Sequence, residues 1–184
     1  VIFISDNGPL PNFRQDRSAG YRGSKLSLYE GGIRLPLLIR WPAKIKPGQV
    51  DSTTIVSALD FLPSFAKITN SKIPQTKVLD GQDISKAWLG SAVKRNKPVI
   101  WEYGRNDTTA FSFPKKINKS PALAVRDGDW KFMMNSDQTA MELYNLKTDP
   151  KEQYNLIKDQ PTLVKKYSKI LSDWWAKLPE FPKG

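Results

Sequence analysis

The chain has 184 residues, 39% apolar and 26% charged, a balance that specifies a folded globular chain rather than a disordered one. It contains no histidine and no cysteine, which excludes disulfides, imidazole metal ligands and a Ser-His-Asp triad within these residues. The net charge of +11 attracts polyanions: sulfated sugars, anionic lipid or nucleic acid. The excess is spread over both halves, and no Arg-rich block or basic–aromatic motif of the nucleic-acid modules occurs. No apolar run approaches the roughly 18 residues of a membrane span. Neither nucleic acid nor a membrane is therefore expected as a partner. Any metal must be held by oxygen, which favours calcium or magnesium.

Val1-Ile2-Phe3-Ile4 is a continuous apolar, β-rich run without a preceding turn or cap. It predicts a strand buried on both faces, as in a parallel sheet. Its neighbours are expected to come from residues N-terminal to Val1. Ser5-Asp6-Asn7-Gly8-Pro9 ends the strand, and residues 9–24, rich in Pro, Gly, Arg and Ser, predict a long surface loop. A Gly31-Gly32 turn follows, and then a strand over 35–42 bracketed by prolines. Residues 60–69 predict a helix capped by Asp60, with Leu62, Phe65 and Ala66 facing the core. A short helix over 83–89 is closed by Gly90.

The second half changes character. Residues 99–103, 122–125, 130–134 and 142–144 predict short strands of a small antiparallel sheet, with a hairpin at Asp127-Gly128. Leu163, Val164, Tyr167, Ile170, Leu171, Trp174, Trp175 and Leu178 recur at helical spacing behind Pro161, and predict a helix that covers the sheet. The reading is α/β for residues 1–92 and a strand-rich unit with one covering helix for 93–184.

Ligands of open α/β sheets sit beyond the carboxyl ends of parallel strands. Asp6 and Asn7 stand at such an end and offer two hard oxygens suited to calcium. By itself Asp-Asn-Gly is also a common turn. Lys25 carries an ammonium able to neutralise a sulfate or phosphate oxygen, and the charge growing on a leaving oxygen. By itself it is an ordinary surface lysine.

The two motifs together carry more. Phe3-Ile4-Ser5-Asp6-Asn7-Gly8, Arg22-Gly23-Ser24-Lys25, Tyr29-Glu30-Gly31-Gly32-Ile33-Arg34-Leu35-Pro36 and Ile39-Arg40-Trp41-Pro42 follow one another in order. So do Asp60-Phe61-Leu62-Pro63-Ser64, Asp80-Gly81-Gln82-Asp83, Val125-Arg126-Asp127-Gly128-Asp129-Trp130-Lys131, Glu142-Leu143-Tyr144-Asn145-Leu146 and Asp149-Pro150-Lys151-Glu152-Gln153-Tyr154-Asn155-Leu156. This series resembles the C-terminal part of the sulfatase family in the alkaline-phosphatase-like superfamily, nearest to the arylsulfatase and N-acetylgalactosamine-6-sulfatase type. Ser64 departs from the family's threonine.

The resemblance implies the last strands and helices of a large mixed sheet, plus a small antiparallel sheet covered by a C-terminal helix. Residues 1–92 would be the end of the catalytic domain and 93–184 the C-terminal subdomain. It implies that Asp6 and Asn7 bind an active-site calcium and that Lys25 contacts the sulfate and the leaving oxygen. Glu30 and Arg34 resemble positions that hold the loop in shape. The implied activity is hydrolysis of sulfate esters, of sulfated small molecules or glycans, with a formylglycine nucleophile.

The family's C/S-x-P-x-R motif for that nucleophile is absent, as are its paired aspartates, further lysine and histidines. All are expected in an N-terminal part of the same protein, without which this chain is expected to be inactive. A phosphoester hydrolase of the same superfamily, or a catalytically dead glycan-binding relative, are the alternatives. The resemblance further implies a periplasmic, extracellular or lysosomal setting. Two formal glycosylation sequons begin at Asn106 and Asn118.

Overall fold

Successive side chains of a strand point to opposite faces, and this alternation organises the larger half of the molecule. A computed structural model describes residues 1–10, 15–74, 78–103 and 119–179. The asparagines of both sequons lie outside the described residues. The chain divides into two compact units: Val1–Ile4 with Pro36–Val99, and Ser5–Leu35 with Ile100–Gly184. The division differs from the expected 1–92 and 93–184. Residues 5–35 group with the C-terminal sheet, because Leu28, Tyr29 and Glu30 are buried against it.

In this second unit, β3 (Val99–Glu102), β4 (Leu123–Asp127), β5 (Trp130–Met134) and β6 (Glu142–Asn145) form a sheet in that order. The Asp127-Gly128 signal holds: β4 and β5 are antiparallel, with Asp127 opposite Trp130 and Val125 opposite Phe132. β6 continues the meander, placing Tyr144 opposite Lys131 and Glu142 opposite Met133. The outer edge of β6 is engaged rather than left open. The Asn155 side-chain oxygen accepts the Leu143 N–H at 3.0 Å, and the Leu156 N–H donates to the Leu143 carbonyl at 2.8 Å.

One face of the sheet presents Leu123, Val125, Phe132, Met134 and Leu143, all fully buried. The helix read from the 3.6-residue period covers it. α4 (Pro161–Trp175) opens on proline at its first position and buries Tyr167 and Leu171 on this face, with Leu163, Val164, Ile170, Trp174 and Trp175 packed alongside. Removing such a side chain from water stabilises the fold by roughly 1.5–3 kcal/mol. Leu178 falls beyond the helix end.

The opposite face carries Ala124, Arg126, Lys131, Met133, Glu142 and Tyr144. It is not left to solvent. It is covered instead by the segment that holds Leu28, Tyr29 and α1 (Glu30–Ile33). Gly23 and Ser24, at the end of the expected surface loop, are buried too.

In the first unit, β1 (Ile2–Ile4) pairs antiparallel with β2 (Leu37–Ile39), Phe3 opposite Leu38. This corrects the expectation of parallel pairing as far as the described neighbour goes. Val1 is 87% and Phe3 63% exposed. Among the described residues the strand has one neighbour and no covering layer. α2 (Phe61–Ile68) and α3 (Ser85–Trp88) follow. Phe61 and Phe65 meet Trp88 edge-to-face, with centroids 5.4 and 5.2 Å apart.

Asp60 does not cap α2. It is fully buried, and its carboxylate accepts the N–H groups of Ser57 and Gln82 and pairs with the Arg95 guanidinium. Ser64 and Ala66 form the buried face of α2, whereas Leu62 is 58% exposed and Phe65 is exposed as well. The hydroxyl of Ser64, where the family pattern has threonine, accepts the Ile84 N–H at 2.9 Å. α3 ends before Gly90, whose φ of +95° suits the closure read from sequence.

Candidate active site

The Asp6-Asn7-Gly8 turn and the Lys25 segment lie in the same unit and are joined through their backbones. The Gly8 N–H donates to the Gly32 carbonyl at 2.9 Å, and the Lys25 N–H donates to the Pro9 carbonyl at 2.8 Å. Gly8 faces the Lys25 segment and Gly32 is folded against that segment's own backbone, and neither has room for a side chain. A Cβ on Gly8 would stand 2.1 Å from the Gly31 carbonyl oxygen, and one on Gly32 would stand 2.0 Å from that of Ser27. Inside the turn, the Ser5 hydroxyl donates to the Asn7 carbonyl at 2.9 Å. Next to Lys25, Leu26 is held at φ +75°, in the left-handed region. Such a conformation costs about 1–3 kcal/mol and persists only where the surroundings impose it.

Asp6 is exposed, and Asn7 and Lys25 are half-buried. Among the described residues, no hydrogen bond or ion pair engages the Asp6 carboxylate, the Asn7 amide or the Lys25 ammonium. The three groups suggested by sequence thus sit on two loop pieces held together, with their polar ends open. Those ends supply two hard oxygen donors and one cation. No group of three or more Asp or Glu side chains able to hold a metal occurs among the described residues. Asp6 and Asn7 offer two oxygen donors, fewer than the about six to eight that a calcium ion takes.

The flanks of Lys25 behave differently: Arg22, Tyr29 and Glu30 are all engaged. The Arg22 guanidinium donates to the Tyr144 hydroxyl at 2.8 Å, the Glu142 carboxylate at 3.3 Å and the Glu152 carbonyl at 3.2 Å. It also lies 3.8 Å over the Tyr29 ring. The Tyr29 and Tyr144 hydroxyls donate to Glu142 at 2.9 and 2.7 Å. Burial, with the Glu142 carboxylate beside them, pushes both phenols well above their ordinary pKa, so they remain donors.

Glu30 is buried as expected of a loop-holding residue. Its carboxylate meets Lys131 at 3.0 Å, Arg126 at 3.5 Å and Arg34 at 3.8 Å. Burial opposes its ionisation, but Lys131, Arg126 and Arg34 together outweigh burial and hold its pKa below the ordinary value. Lys131 also meets Glu152 at 2.8 Å, and the other Glu152 oxygen accepts the Glu30 N–H at 2.7 Å. For Glu152 burial wins, and its pKa is raised.

Arg22, Lys131, Glu142, Tyr144 and Glu152 were not singled out in the sequence for the site. They did lie within the motif series that carried the family resemblance, but nothing local in the sequence showed that they meet one another.

The family described as N-sulphoglucosamine sulphohydrolase, C-terminal, matches residues 22–181. The chain belongs to this sulfatase family. It is 30% identical over 196 residues to an N-acetylgalactosamine-6-O-sulfatase of Bacteroides thetaiotaomicron, covering 93% of this chain and 35% of that protein. It is 33% identical over 171 residues to human arylsulfatase A, covering 85% and 33%.

Two solved structures agree. One, from a study of glycosaminoglycan metabolism by Bacteroides thetaiotaomicron, has a TM-score of 0.71 and 28% identity, and covers 96% of this chain and 38% of that one. Another, solved with a bound neocarrahexaose, has a TM-score of 0.72 and 26% identity, and covers 94% and 35%. A phosphonate monoester hydrolase of Agrobacterium radiobacter shares the fold, with a TM-score of 0.54 and 23% identity. This sulfatase chain spans about a third of the length of the curated relatives it matches.

Proposed function

We propose that the protein to which this chain contributes hydrolyses sulfate esters of carbohydrates, with Lys25 contacting the sulfate group. The observation that carries the reading is the fastening of the Asp6-Asn7-Gly8 turn to the Lys25 segment by the Gly8–Gly32 and Lys25–Pro9 backbone bonds. It sets two oxygen donors and a cation on one support, their polar ends unengaged among the described residues. Lys25 would neutralise sulfate oxygens and the charge that grows on the leaving oxygen. Asp6 and Asn7 would supply two ligands of a calcium ion, which when bound polarises the sulfate. A formylglycine nucleophile and the remaining ligands would come from residues outside this chain, and the chain by itself would not turn over. The exposed β1–β2 strands would be covered by those same residues.

Carbohydrate esters are favoured by the N-acetylgalactosamine-6-O-sulfatase and glycosaminoglycan-metabolism relatives and by the net charge of +11. A periplasmic, extracellular or lysosomal setting goes with this reading. No helix among the described residues is long and apolar enough to cross a membrane.

Sulfate release from a sulfated monosaccharide by the full-length protein tests the reading. Lys25→Ala is expected to lower kcat/KM by about a hundredfold or more, the scale of losing one charge-stabilising donor. An unchanged rate would remove Lys25 from the site. Faster hydrolysis of the matching phosphate ester would move the protein to phosphoryl chemistry.

A further inference from the structure

The Lys25 segment is anchored on both flanks by groups that alternate along one face of the sheet. On the N-terminal flank, Arg22 reaches Glu142 and Tyr144 of β6, and Tyr29, past Lys25 on the C-terminal side, reaches the same Glu142. On the C-terminal flank, Glu30 is locked to Lys131 of β5 and, through its own N–H, to Glu152. Glu152 is itself held at φ +57°, a conformation rare for a residue with a side chain. The Asp149 carboxylate imposes that turn by accepting the N–H groups of Gln153 and Tyr154 at 2.8 and 2.9 Å. The third group on this sheet face, Arg126, also points its charge at Glu30.

A surface loop needs none of this. Buried ion pairs add little net stability compared with apolar packing, because desolvation offsets their attraction. They do fix direction, since each charge accepts partners only at set distances and angles. Here they fix the two ends of a stretch whose middle bears a strained Leu26 and an open Lys25. We infer that Glu142 and the Lys131–Glu152 pair are positioning residues. They form a two-point clamp by which the C-terminal sheet sets the direction of the Lys25 ammonium. The inference rests on the proposed role of Lys25 in contacting sulfate.

The test is a double-mutant cycle on the full-length protein, with sulfate release as readout. The proteins are the unaltered enzyme, Lys25→Ala, Glu142→Gln and the double variant. Glutamine keeps the size of Glu142 and an acceptor for the tyrosines but removes the charge that orients Arg22. Glu142→Gln is expected to lower kcat about tenfold with KM little changed, as for a contact used chiefly in the transition state. In the Lys25→Ala background the same change is expected to cost less than about twofold, because its effect passes through the missing ammonium.

Multiplying effects, or a Glu142→Gln enzyme with unaltered kcat, would overturn the clamp while leaving the sulfatase reading intact. An unaffected Lys25→Ala enzyme would overturn both. If Glu142→Gln does not fold, Tyr144→Phe replaces it in the cycle. It removes only the hydroxyl that links Arg22 to Glu142, and the same outcomes decide.

Discussion

Lys131→Met is expected to destabilise the protein by about 3–5 kcal/mol at neutral pH, the cost of leaving a buried charge without its partner. Lys131 has no exposed side-chain surface and lies between two carboxylates that are equally sealed. Methionine fills similar volume, so the loss is electrostatic rather than a cavity. Arg126 and Arg34 still face Glu30, but Glu152 keeps only the Glu30 N–H.

The pH dependence separates this cause from poor packing. In the unaltered protein the Glu30 pKa is depressed. Its contribution is present above the ordinary carboxylate range and is lost as pH falls through the depressed value. Glu152 has a raised pKa, so its folded form binds protons more readily than the unfolded chain, and its contribution weakens as pH rises. Without Lys131 both carboxyls lose their main attraction, and both pKa values move up. The variant then takes up protons on folding, and its deficit shrinks on going from neutral to mildly acidic pH. Denaturant unfolding followed by tryptophan fluorescence at the two pH values measures this. A neutral-pH deficit below about 1 kcal/mol, or one that grows on acidification, would show that the triad is not the buried charge cluster described.

Gly32→Ala is the second large effect, and it acts on activity. The added methyl group would lie 2.0 Å from the Ser27 carbonyl oxygen and 2.5 Å from that of Ser24. Neither obstacle is a side chain that can rotate away. The backbone on both sides of Lys25 must shift, and the Gly8–Gly32 bond with it. A displacement of about 1 Å at a charge-stabilising group costs on the order of a hundredfold in rate. Sulfate release by full-length Gly32→Ala is therefore expected to fall at least about that far, while far-UV circular dichroism stays unchanged. Gly8→Ala should behave alike, because its methyl group would meet the Gly31 carbonyl oxygen from the other side at 2.1 Å. A Gly32→Ala enzyme with unaltered kcat would mean that the two motifs need not touch for catalysis.

The elements most legible in sequence were those decided by local periodicity. The stripe from Leu163 to Trp175 could bury itself only as a helix, and the Asp127-Gly128 turn could join only adjacent antiparallel strands. The family was also readable, since motif order and spacing carried the sulfatase resemblance. Reading failed where a partner lay far along the chain. Val1-Ile2-Phe3-Ile4 has the composition of a strand in a parallel sheet, but its described partner, β2, comes from later in the chain and runs antiparallel. Asp60 has the look of a helix cap, yet its partners Gln82 and Arg95 lie 22 and 35 residues away.

What the sequence by itself determined is the family and the order of the elements. Those follow from short-range spacing, which a single chain displays directly. What only the tertiary structure decided is how the Lys25 segment is held. Arg126, Lys131, Glu142 and Tyr144 alternate with core residues as a solvated face would. They become an anchor only because a segment about 100 residues earlier folds over them. Charge pairing across that distance leaves no local period to read, since its cause is burial, a property of the assembled fold.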